Sequence, residues 1–373
     1  MNLTYFHENE CFLIFNYDIL VLLRDYYIPF LIIIGVIGNL LSCVVFLSTS
    51  LKLRSSSYYL AALAIADLVY LISLFVVVFL NSFFNTDGWC ELFVYVSQVS
   101  SSLSTWLIVA FTVERFIAVQ YPLKRPQMCT VSRAKSVVFG LTTVAMFIHA
   151  YVFWTSGVLQ RENGLECEIV PELYSIMTVL NYFDTVFSFI MPFVLIVVMN
   201  VMIARSIFKF SKRIASGNFQ DSGGSGGRFG ESISSTTKQS GSQCTSQKSA
   251  TTKCPMSNPR EQEQLSSIHF KSTNLMSTKI QHGISKMLLL VSSVFICFNL
   301  PSYVIRAYTF FVISVLNKEP PKIIWCIQHF CMIIFYTNYS INFMLYSMYG
   351  ITFRRCLWQV IRNAITITQN AFN

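Results

Sequence analysis

Charged side chains occur inside long apolar runs of this 373-residue chain, and they are its first candidates for chemistry. Asp67 lies in LAALAIADLVY, while Glu114 and Arg115 are adjacent in STWLIVAFTVERFIAVQ. A charged residue at the bilayer centre costs roughly 2.5–3.5 kcal/mol on insertion scales, so such residues are functional candidates by default. The buried polar groups include no nucleophile–base pair and no metal-ligand set, so we predict that the chain is not an enzyme.

Further polar residues occur at comparable depth in other apolar runs. They are Asn39, Ser104, Asn338 and Asn342, and we expect them to converge on Asp67. An isolated buried carboxylate would protonate, whereas surrounding oxygen ligands would favour a small cation such as sodium. The alternative is a neutral, hydrogen-bonded Asp67 with a structural role.

Membrane-spanning helices must position these residues. The chain is 54% hydrophobic and only 12% charged, whereas soluble domains are about 25% charged. A helix needs about 20 mostly apolar residues to cross the hydrocarbon core, and runs of this length exclude a β-barrel. The sequence therefore predicts an all-α membrane protein with seven spans, at Tyr26–Ser50, Ser57–Asn81, Leu92–Tyr121, Ala134–Ser156, Ile176–Phe210, Gly283–Ile313 and Ile323–Met348.

The distribution of charge predicts the orientation. Only five of the 27 Lys and Arg residues fall on one side of the predicted spans: Arg24, Arg161, Arg306, Lys318 and Lys322. The positive-inside rule makes that side extracellular, with the N-terminus outside the cell. The inner face would suit anionic membrane lipid. The outer face is acidic and would favour a cationic ligand, although its acids could equally be a solvated loop surface.

The predicted segments follow from these spans. Residues 1–25 form an extracellular N-terminus, 26–210 hold spans one to five, and 281–348 hold spans six and seven. The Ser/Thr/Gly-rich stretch at 211–280 predicts a disordered cytoplasmic third loop whose hydroxyls suit kinases. Residues 349–373 form a cytoplasmic tail that begins as a short amphipathic helix on the inner leaflet.

Modification sites are expected at both faces. Cys90 and Cys167 both face an oxidising compartment, so we predict a disulfide between them. Cys11 and Cys326 are candidates for a second bridge. Asn2 is in a glycosylation sequon. Cys356, in the amphipathic helix, is either a palmitoylation site or a plain buried thiol.

The ordered set of motifs resembles rhodopsin-like G-protein-coupled receptors. The pieces are GNLLS in span one, LAALAIAD in span two, Cys90 with Cys167, ERFIAVQYPL closing span three, Pro192, FICFNLP in span six, and NYSINFMLY followed by GITFRRCL. The resemblance implies a plasma-membrane receptor and transducer whose partners are an extracellular ligand, a heterotrimeric G protein, receptor kinases and arrestin. It implies no cofactor, apart from an allosteric sodium ion at Asp67, and no nucleic acid.

The resemblance also assigns roles near the cytoplasmic end. Glu114, Arg115 and Phe116 replace the family's Asp-Arg-Tyr motif, so Glu114 would hold Arg115 at rest. On activation Arg115 would meet the G protein, as would Leu123; an ion pair that only orients the helix is the alternative. The switch residues would be Asn299, Pro301, Asn342 and Tyr346. Asn299 stands where the family usually has Trp, and Phe343 where it usually has Pro, so the activation switch is expected to be altered. Gln281 stands where an acid would complete a lock between helices, so the resting restraint is expected to be looser.

The same departures resemble invertebrate FMRFamide-type and thyrotropin-releasing-hormone-type neuropeptide receptors. The expected ligand is a basic, amidated neuropeptide drawn to an acidic mouth that holds Asp184, Glu166 and Glu168. Ser97 stands where amine receptors carry Asp, so a monoamine is not expected. The candidate pocket residues are Ser97, Gln98, Asp184, Arg306, Gln328 and Tyr336.

Two other classes remain open at the level of sequence. A chemosensory receptor of the same fold would respond to small environmental molecules. A transporter or channel would need a polar path through the membrane, whereas the polar residues here predict a closed cluster inside the membrane and a separate Glu–Arg pair.

Overall fold

The computed structural model describes residues 22–161, 164–220, 290–309, 311–313, 316, 318 and 320–372. The predictions for Asn2, Cys11 and Gln281 lie outside these ranges, as does most of the predicted loop at 211–280. The chain divides into one unit of Met1–Ser206 and Gly283–Asn373 and a second unit of Ile207–His282. In the second unit the described residues, 207–220, are helical.

Within the described residues, six helices are long and apolar enough to cross a membrane by length and composition. They are α1 (Leu23–Ser48), α2 (Ser55–Phe79), α3 (Trp89–Gln120), α4 (Val131–Thr155), α5, and α6 (Leu290–Ile313). The helix α5 comprises Tyr174–Thr185, a π-helical turn at Val186–Ile190, and Met191–Gln220. The chain is thus a multi-pass membrane protein.

The seventh predicted span is the helix α7 (Lys322–Tyr349), which has 28 residues. At 1.5 Å per residue it is long enough to cross the hydrocarbon core. Its sequence includes the polar residues Asn338, Ser340 and Asn342. The helix α8 (Ile351–Phe372) follows after Gly350, so the predicted seven-helix bundle with an eighth amphipathic helix describes the fold.

The connections differ from the prediction in two places. A hairpin of two antiparallel strands, β1 (Ser156–Arg161) and β2 (Gly164–Ile169), lies between α4 and α5, where no strand was predicted. The helix α5 ends at Gln220, ten residues beyond Phe210, where the predicted fifth span ends. The remaining described connections contain short helical turns at Ser50–Leu53, Asn81–Phe84, Arg125–Met128 and Pro171–Leu173.

The core joins α1, α2, α6 and α7 through large apolar side chains. Its buried members are Ile28, Leu31, Ile32, Tyr70, Leu71, Leu74, Tyr303, Phe335 and Tyr339. Other large apolar residues face outward; Phe139 and Phe147 of α4 are 75% and 78% exposed. Exposed apolar area of this extent marks a surface that contacts membrane.

Two glycines let α1 approach α7 closely. A Cβ atom added at Gly38 would lie 2.8 Å from the Cβ atom of Phe343, and one at Gly35 would collide with Ser340. Ser340 also donates a 2.9 Å hydrogen bond to the carbonyl of Leu31. Phe343, which replaces the family's usual Pro, therefore packs against the backbone of α1 inside an unbroken α7.

Candidate functional site

A cavity opens near the end of the bundle that carries the Cys90–Cys167 disulfide, which we call the outer end. This outer cavity has a polar wall on α3, formed by Ser97, Gln98, Ser101 and Ser102. Tyr70, Tyr303 and Phe335 supply aromatic surface from α2, α6 and α7. A cavity with large rings and a few convergent polar groups is typical of a ligand site.

Two opposite charges line the outer cavity. Asp184 of α5 accepts a 2.6 Å hydrogen bond from the hydroxyl of Ser188. Arg306 of α6 lies over the ring of Tyr303, 5.6 Å from its centroid, and directs Nη2 toward the sulfur of Met332 at 3.8 Å. Among the described residues no salt bridge joins Asp184 or Arg306 to an opposite charge, so both charges are available to a ligand.

The six predicted pocket residues fall into two groups. Ser97, Gln98, Asp184 and Arg306 line the outer cavity. Gln328 accepts a 3.4 Å hydrogen bond from Thr309, and Tyr336 packs with its ring centroid 6.2 Å from that of Phe335. Neither of these two residues lines the cavity, so they would support its walls.

The hairpin is fastened to the outer end of α3. The predicted disulfide between Cys90 and Cys167 is present, and the backbone N–H of Cys167 donates a 3.1 Å hydrogen bond to the side chain of Asn85. Val170, just after β2, donates a 3.0 Å backbone hydrogen bond to Thr155 at the end of α4. Cys326 is also disulfide-bonded, and the prediction that Cys11 is its partner lies outside the described residues.

One acid of the predicted mouth already has a partner. Glu168 on β2 forms an ion pair with Arg161 on β1. An ion pair of this kind removes most of the field that Glu168 would otherwise direct at a cationic ligand. Of the three acids in the predicted mouth, Asp184 is therefore a better candidate than Glu168 for binding a cationic ligand.

Asp67 lies at the centre of a second site, the Asp67 cluster, which also contains Ser104 and Asn342. The carboxyl of Asp67 is 0% exposed. The hydroxyl of Ser104 donates to Oδ1 and the amide of Asn342 donates to Oδ2, each at 2.7 Å. The cluster thus ties α2, α3 and α7 together through one carboxyl group.

The other two predicted members of the polar cluster are buried but bind elsewhere. Asn39 donates a 2.9 Å hydrogen bond to the backbone carbonyl of Tyr339, and its own Oδ1 atom is buried without a described partner. Asn338 is buried, and among the described residues it makes no hydrogen bond with Asp67. The structure therefore brings Ser104 and Asn342 to Asp67 directly, and Asn39 to the neighbouring backbone of α7.

At the inner end, Glu114 and Arg115 are buried and held by the start of α2. Ser55 and Ser56 donate hydrogen bonds of 3.0 and 2.6 Å to Oε1 of Glu114. Arg115 donates from Nη2 to the hydroxyl of Ser56, and its Nη2 atom lies 4.0 Å from Oε1 of Glu114. Ser56 thus links the two charged side chains, which we call the inner pair.

A thiol from the connection between α3 and α4 borders the inner pair. Cys129 directs its sulfur toward the backbone carbonyl of Glu114 at 3.8 Å. Burial, together with the charge on Glu114, raises the pKa of the Cys129 thiol. The thiol therefore stays neutral at physiological pH and adds no charge to the inner pair.

The remaining predicted switch residues lie in different surroundings. Asn299 is buried and donates a 2.7 Å hydrogen bond to the carbonyl of Phe295 one turn earlier in α6, two residues before Pro301. Tyr346 is buried beside Phe46, with ring centroids 5.5 Å apart, and its hydroxyl has no described partner. Asn342 belongs to the Asp67 cluster, so the structure joins it to a different site.

Two further residues with a predicted role in G-protein coupling, Leu123 and Phe116, lie near the inner end of α3. Leu123 is 91% exposed, the arrangement expected of a side chain that binds a partner. Phe116 is half-buried and packs edge-on against Tyr121, with ring centroids 6.3 Å apart.

The position of Cys356 argues against its predicted lipidation. The residue is 5% exposed, and its sulfur lies 3.9 Å from the hydroxyl of Ser50 beyond the end of α1. Phe353 is buried on the same side of α8, whereas Arg354 and Arg355 are exposed. The placement favours the alternative, a buried thiol on the bundle-facing side of an amphipathic helix.

Several residues of these sites were not identified from sequence. Ser55 and Ser56 belong to the run LRSSSYYL, where a cluster of hydroxyls beside an apolar span is the available signal. Ser101, Ser102 and Ser188 lie within apolar runs in the same way. Ser101 is one helical turn from both Gln98 and Ser104, so helical spacing would have identified it.

Comparison with known proteins places these sites in a family. The family model described as 7 transmembrane receptor (rhodopsin family) matches residues 38–346. The thyrotropin-releasing hormone receptor of Gallus gallus is 26% identical over 185 residues, which are 47% of this chain and 46% of that protein. The growth hormone secretagogue receptor type 1 of Homo sapiens is 29% identical over 194 residues, 48% of this chain and 52% of that protein.

The cysteinyl leukotriene receptor 2 of Mus musculus is 24% identical over 182 residues, 47% of this chain and 58% of that protein. The chain spans about half the length of the curated relatives it matches. The family match is longer, and it contains the outer cavity, the Asp67 cluster and the inner pair. Members of this family are receptors, so the prediction that the chain is not an enzyme is confirmed. The chain belongs to the rhodopsin family of seven-transmembrane receptors.

Proposed function

We propose that this chain is a plasma-membrane receptor that binds an extracellular neuropeptide in the outer cavity and activates a heterotrimeric G protein. Its N-terminus and the outer end would face the cell exterior. The observation that carries the proposal is the presence of Asp184 and Arg306 in one cavity, without a salt bridge to a described residue. A basic peptide with a C-terminal amide offers a cation to Asp184 and a carbonyl oxygen to Arg306.

The rest of the outer cavity suits the same ligand class. The polar wall of α3 can donate hydrogen bonds to peptide carbonyls, and the rings of Tyr70, Tyr303 and Phe335 can bury an apolar side chain. Relatives named for a hormone and for a secretagogue do not favour the chemosensory alternative.

At the inner end, the proposal assigns Arg115 to the G protein. In the described arrangement Arg115 is engaged by Ser56 and lies near Glu114. When the ligand binds, Arg115 leaves these partners and meets the G protein, while Leu123 offers an exposed apolar contact. Receptor kinases and arrestin would act on the hydroxyl-rich segment at 211–280, which lies outside the described residues.

The Asp67 cluster would hold the proposed sodium ion. The carboxylate of Asp67 and the hydroxyl oxygen of Ser104 are the ligand type that hard cations take, while Asn342 directs its amide nitrogen at the carboxylate. The buried, unpartnered Oδ1 atom of the nearby Asn39 fits the same requirement. When bound, the ion would neutralise the carboxylate.

The test is a screen of amidated peptides on cells that express the full chain, with calcium and cyclic-AMP readouts. The Arg115→Ala variant should lose the response while binding of the labelled peptide survives. Lys52→Ala, an exposed cation in the turn at Ser50–Leu53, serves as the control and should respond normally. A full response from Arg115→Ala would contradict the role proposed for the inner pair.

A further inference from the structure

A hydroxyl pair connects the outer cavity to the interior of the bundle. The hydroxyls of Ser101 on α3 and Tyr339 on α7 are joined by a 2.8 Å hydrogen bond. Ser101 lines the outer cavity, whereas Tyr339 is 1% exposed and lies behind its wall. The bond therefore has one end at the ligand site and the other in the core.

Tyr339 also contacts two rings that line the outer cavity. Its ring stacks on that of Tyr70 with centroids 3.9 Å apart and meets that of Phe335 edge-on at 5.3 Å. Bundle cores are close-packed and leave little free volume. A ligand that displaces Tyr70 or Phe335 must therefore displace Tyr339 as well.

A second connection between α3 and α7 lies one helical turn further inward. Ser104 follows Ser101 by three residues, and Asn342 follows Tyr339 by three, so each pair shares a helix face. Ser104 and Asn342 both donate to the carboxyl of Asp67. The two helices are thus joined by two polar links, one direct and one through Asp67.

The backbone of Tyr339 ties a third helix to the same point. Its carbonyl accepts the 2.9 Å hydrogen bond from Asn39 of α1. A shift of Tyr339 along or about the axis of α7 therefore changes contacts with α1, α2 and α3 together.

We propose that Tyr339 is a positioning residue that transmits ligand occupancy from the outer cavity to the Asp67 cluster. Its hydrogen bond with Ser101 holds α7 in the arrangement in which Ser56 engages Arg115. This inference rests on the proposed receptor function. Loss of the bond should shift the ligand-free population toward the signalling arrangement by about fivefold, the factor that corresponds to one hydrogen bond of ordinary net strength.

The experiment measures nucleotide exchange without ligand. Membranes that carry the full chain at matched surface levels are mixed with purified G-protein heterotrimers, and uptake of a radiolabelled, non-hydrolysable GTP analogue is followed. Tyr339→Phe keeps the ring and removes only the hydroxyl, and Ser101→Ala removes the other half of the bond. Each should raise exchange about fivefold, and the double variant should exceed neither, because the two residues share one interaction.

Two further variants separate positioning from packing. Ser101→Thr keeps a hydroxyl and should restore wild-type exchange. Ser100→Ala removes a neighbouring buried hydroxyl whose 2.7 Å hydrogen bond goes to Val96 of its own helix, and it should leave exchange unchanged. A purely structural role would lower surface level or thermal stability without raising exchange.

Three outcomes would overturn the inference. They are unchanged exchange in both single variants, additive increases in the double variant, or failure of both single variants to reach the cell surface. Adding Arg115→Ala to each variant tests the proposed function separately. If nucleotide exchange survived this change, the proposed role of Arg115 in contacting the G protein would be refuted. If exchange were lost in Arg115→Ala but unchanged in Tyr339→Phe, only the inference about Tyr339 would be refuted.

Discussion

The hydroxyl of Ser56, in the first turn of α2, lies 2.6 Å from the carboxylate oxygen Oε1 of Glu114 near the end of α3. Arg115 reaches the same hydroxyl, whereas its separation from Oε1 of Glu114 is 4.0 Å. The restraint on Arg115 is therefore shared between an adjacent acid and a serine on another helix. A shift of the start of α2 would therefore change the contacts of both side chains in the inner pair.

We predict that Ser56→Ala raises ligand-independent signalling about tenfold. Hydrogen bonds to charged groups contribute about 1.5–3 kcal/mol, and this change removes one from Glu114 and one from Arg115. The measurement is exchange of a radiolabelled GTP analogue at equal surface expression. Ser57→Ala is the control, because Ser57 is buried in the same turn and makes no side-chain hydrogen bond with a described residue. Equal exchange in the wild-type and Ser56→Ala receptors would refute the shared restraint.

We predict that Asp184→Asn lowers the potency of a basic peptide at least tenfold but spares an analogue whose cation is replaced by a neutral group. The reason is that truncating one partner of a desolvated charge pair leaves the other unpaired. Arg306→Gln should instead weaken both peptides, since its expected partner is the C-terminal amide. Competition binding with the two peptides measures both effects.

The control for these variants is Glu168→Gln. Because Glu168 is already paired with Arg161, it should change the potency of either peptide less than twofold. A tenfold loss in Glu168→Gln, with none in Asp184→Asn, would move the cation site from α5 to the hairpin.

We predict that replacing sodium with N-methylglucamine at constant ionic strength raises ligand-independent exchange in the wild-type receptor. The proposed sodium ion would stabilise the arrangement in which Ser104 and Asn342 converge on Asp67. Asp67→Asn removes the charge and should abolish this sodium dependence. If the wild-type receptor were equally active in both salts, Asp67 would have only its structural role.

We predict that Gly38→Ala lowers the thermal stability of the detergent-solubilised receptor. The new methyl group would lie 2.8 Å from the Cβ atom of Phe343, and overpacking of this kind costs about 1–3 kcal/mol. In a Phe343→Ala background the 2.8 Å contact with Cβ remains, whereas the contacts with Cγ at 3.1 Å and Cδ1 at 3.4 Å are removed, so the same change should cause a smaller loss of stability. Gly140→Ala in α4, where an added Cβ meets nothing within 4 Å, is the control. Additive losses would show that Gly38 and Phe343 do not constrain one another.

The positions of the membrane-spanning helices could be predicted because each helix coincides with a long, mostly apolar run of sequence. The predicted span at Ser57–Asn81 and the observed α2 at Ser55–Phe79 differ by two residues at each end. The two residues missed at the N-terminal end are Ser55 and Ser56, which donate hydrogen bonds to Glu114. The apolar run gives way to serines at this end of α2. A boundary set by apolarity therefore excluded the two serines that contact the inner pair.

Other features depend on contacts between distant parts of the chain. The hairpin was missed because its six-residue strands contain Gly and charged residues and gain order from the disulfide to α3. Helical spacing alone would place Ser101 and Ser104 on one face of α3, but it could not say which residues of α7 they would meet. The predicted pocket residue Tyr336 lies behind the cavity wall for the same reason, since its orientation depends on how α7 packs on α2.

The strand connection between α4 and α5 is secured at three places: a covalent bridge to Cys90, the side chain of Asn85, and the backbone of Thr155. A segment anchored so closely cannot swing aside as a gate. A ligand would therefore have to enter and leave the outer cavity beside this segment. Its dissociation rate should then depend on the motions of the neighbouring helices.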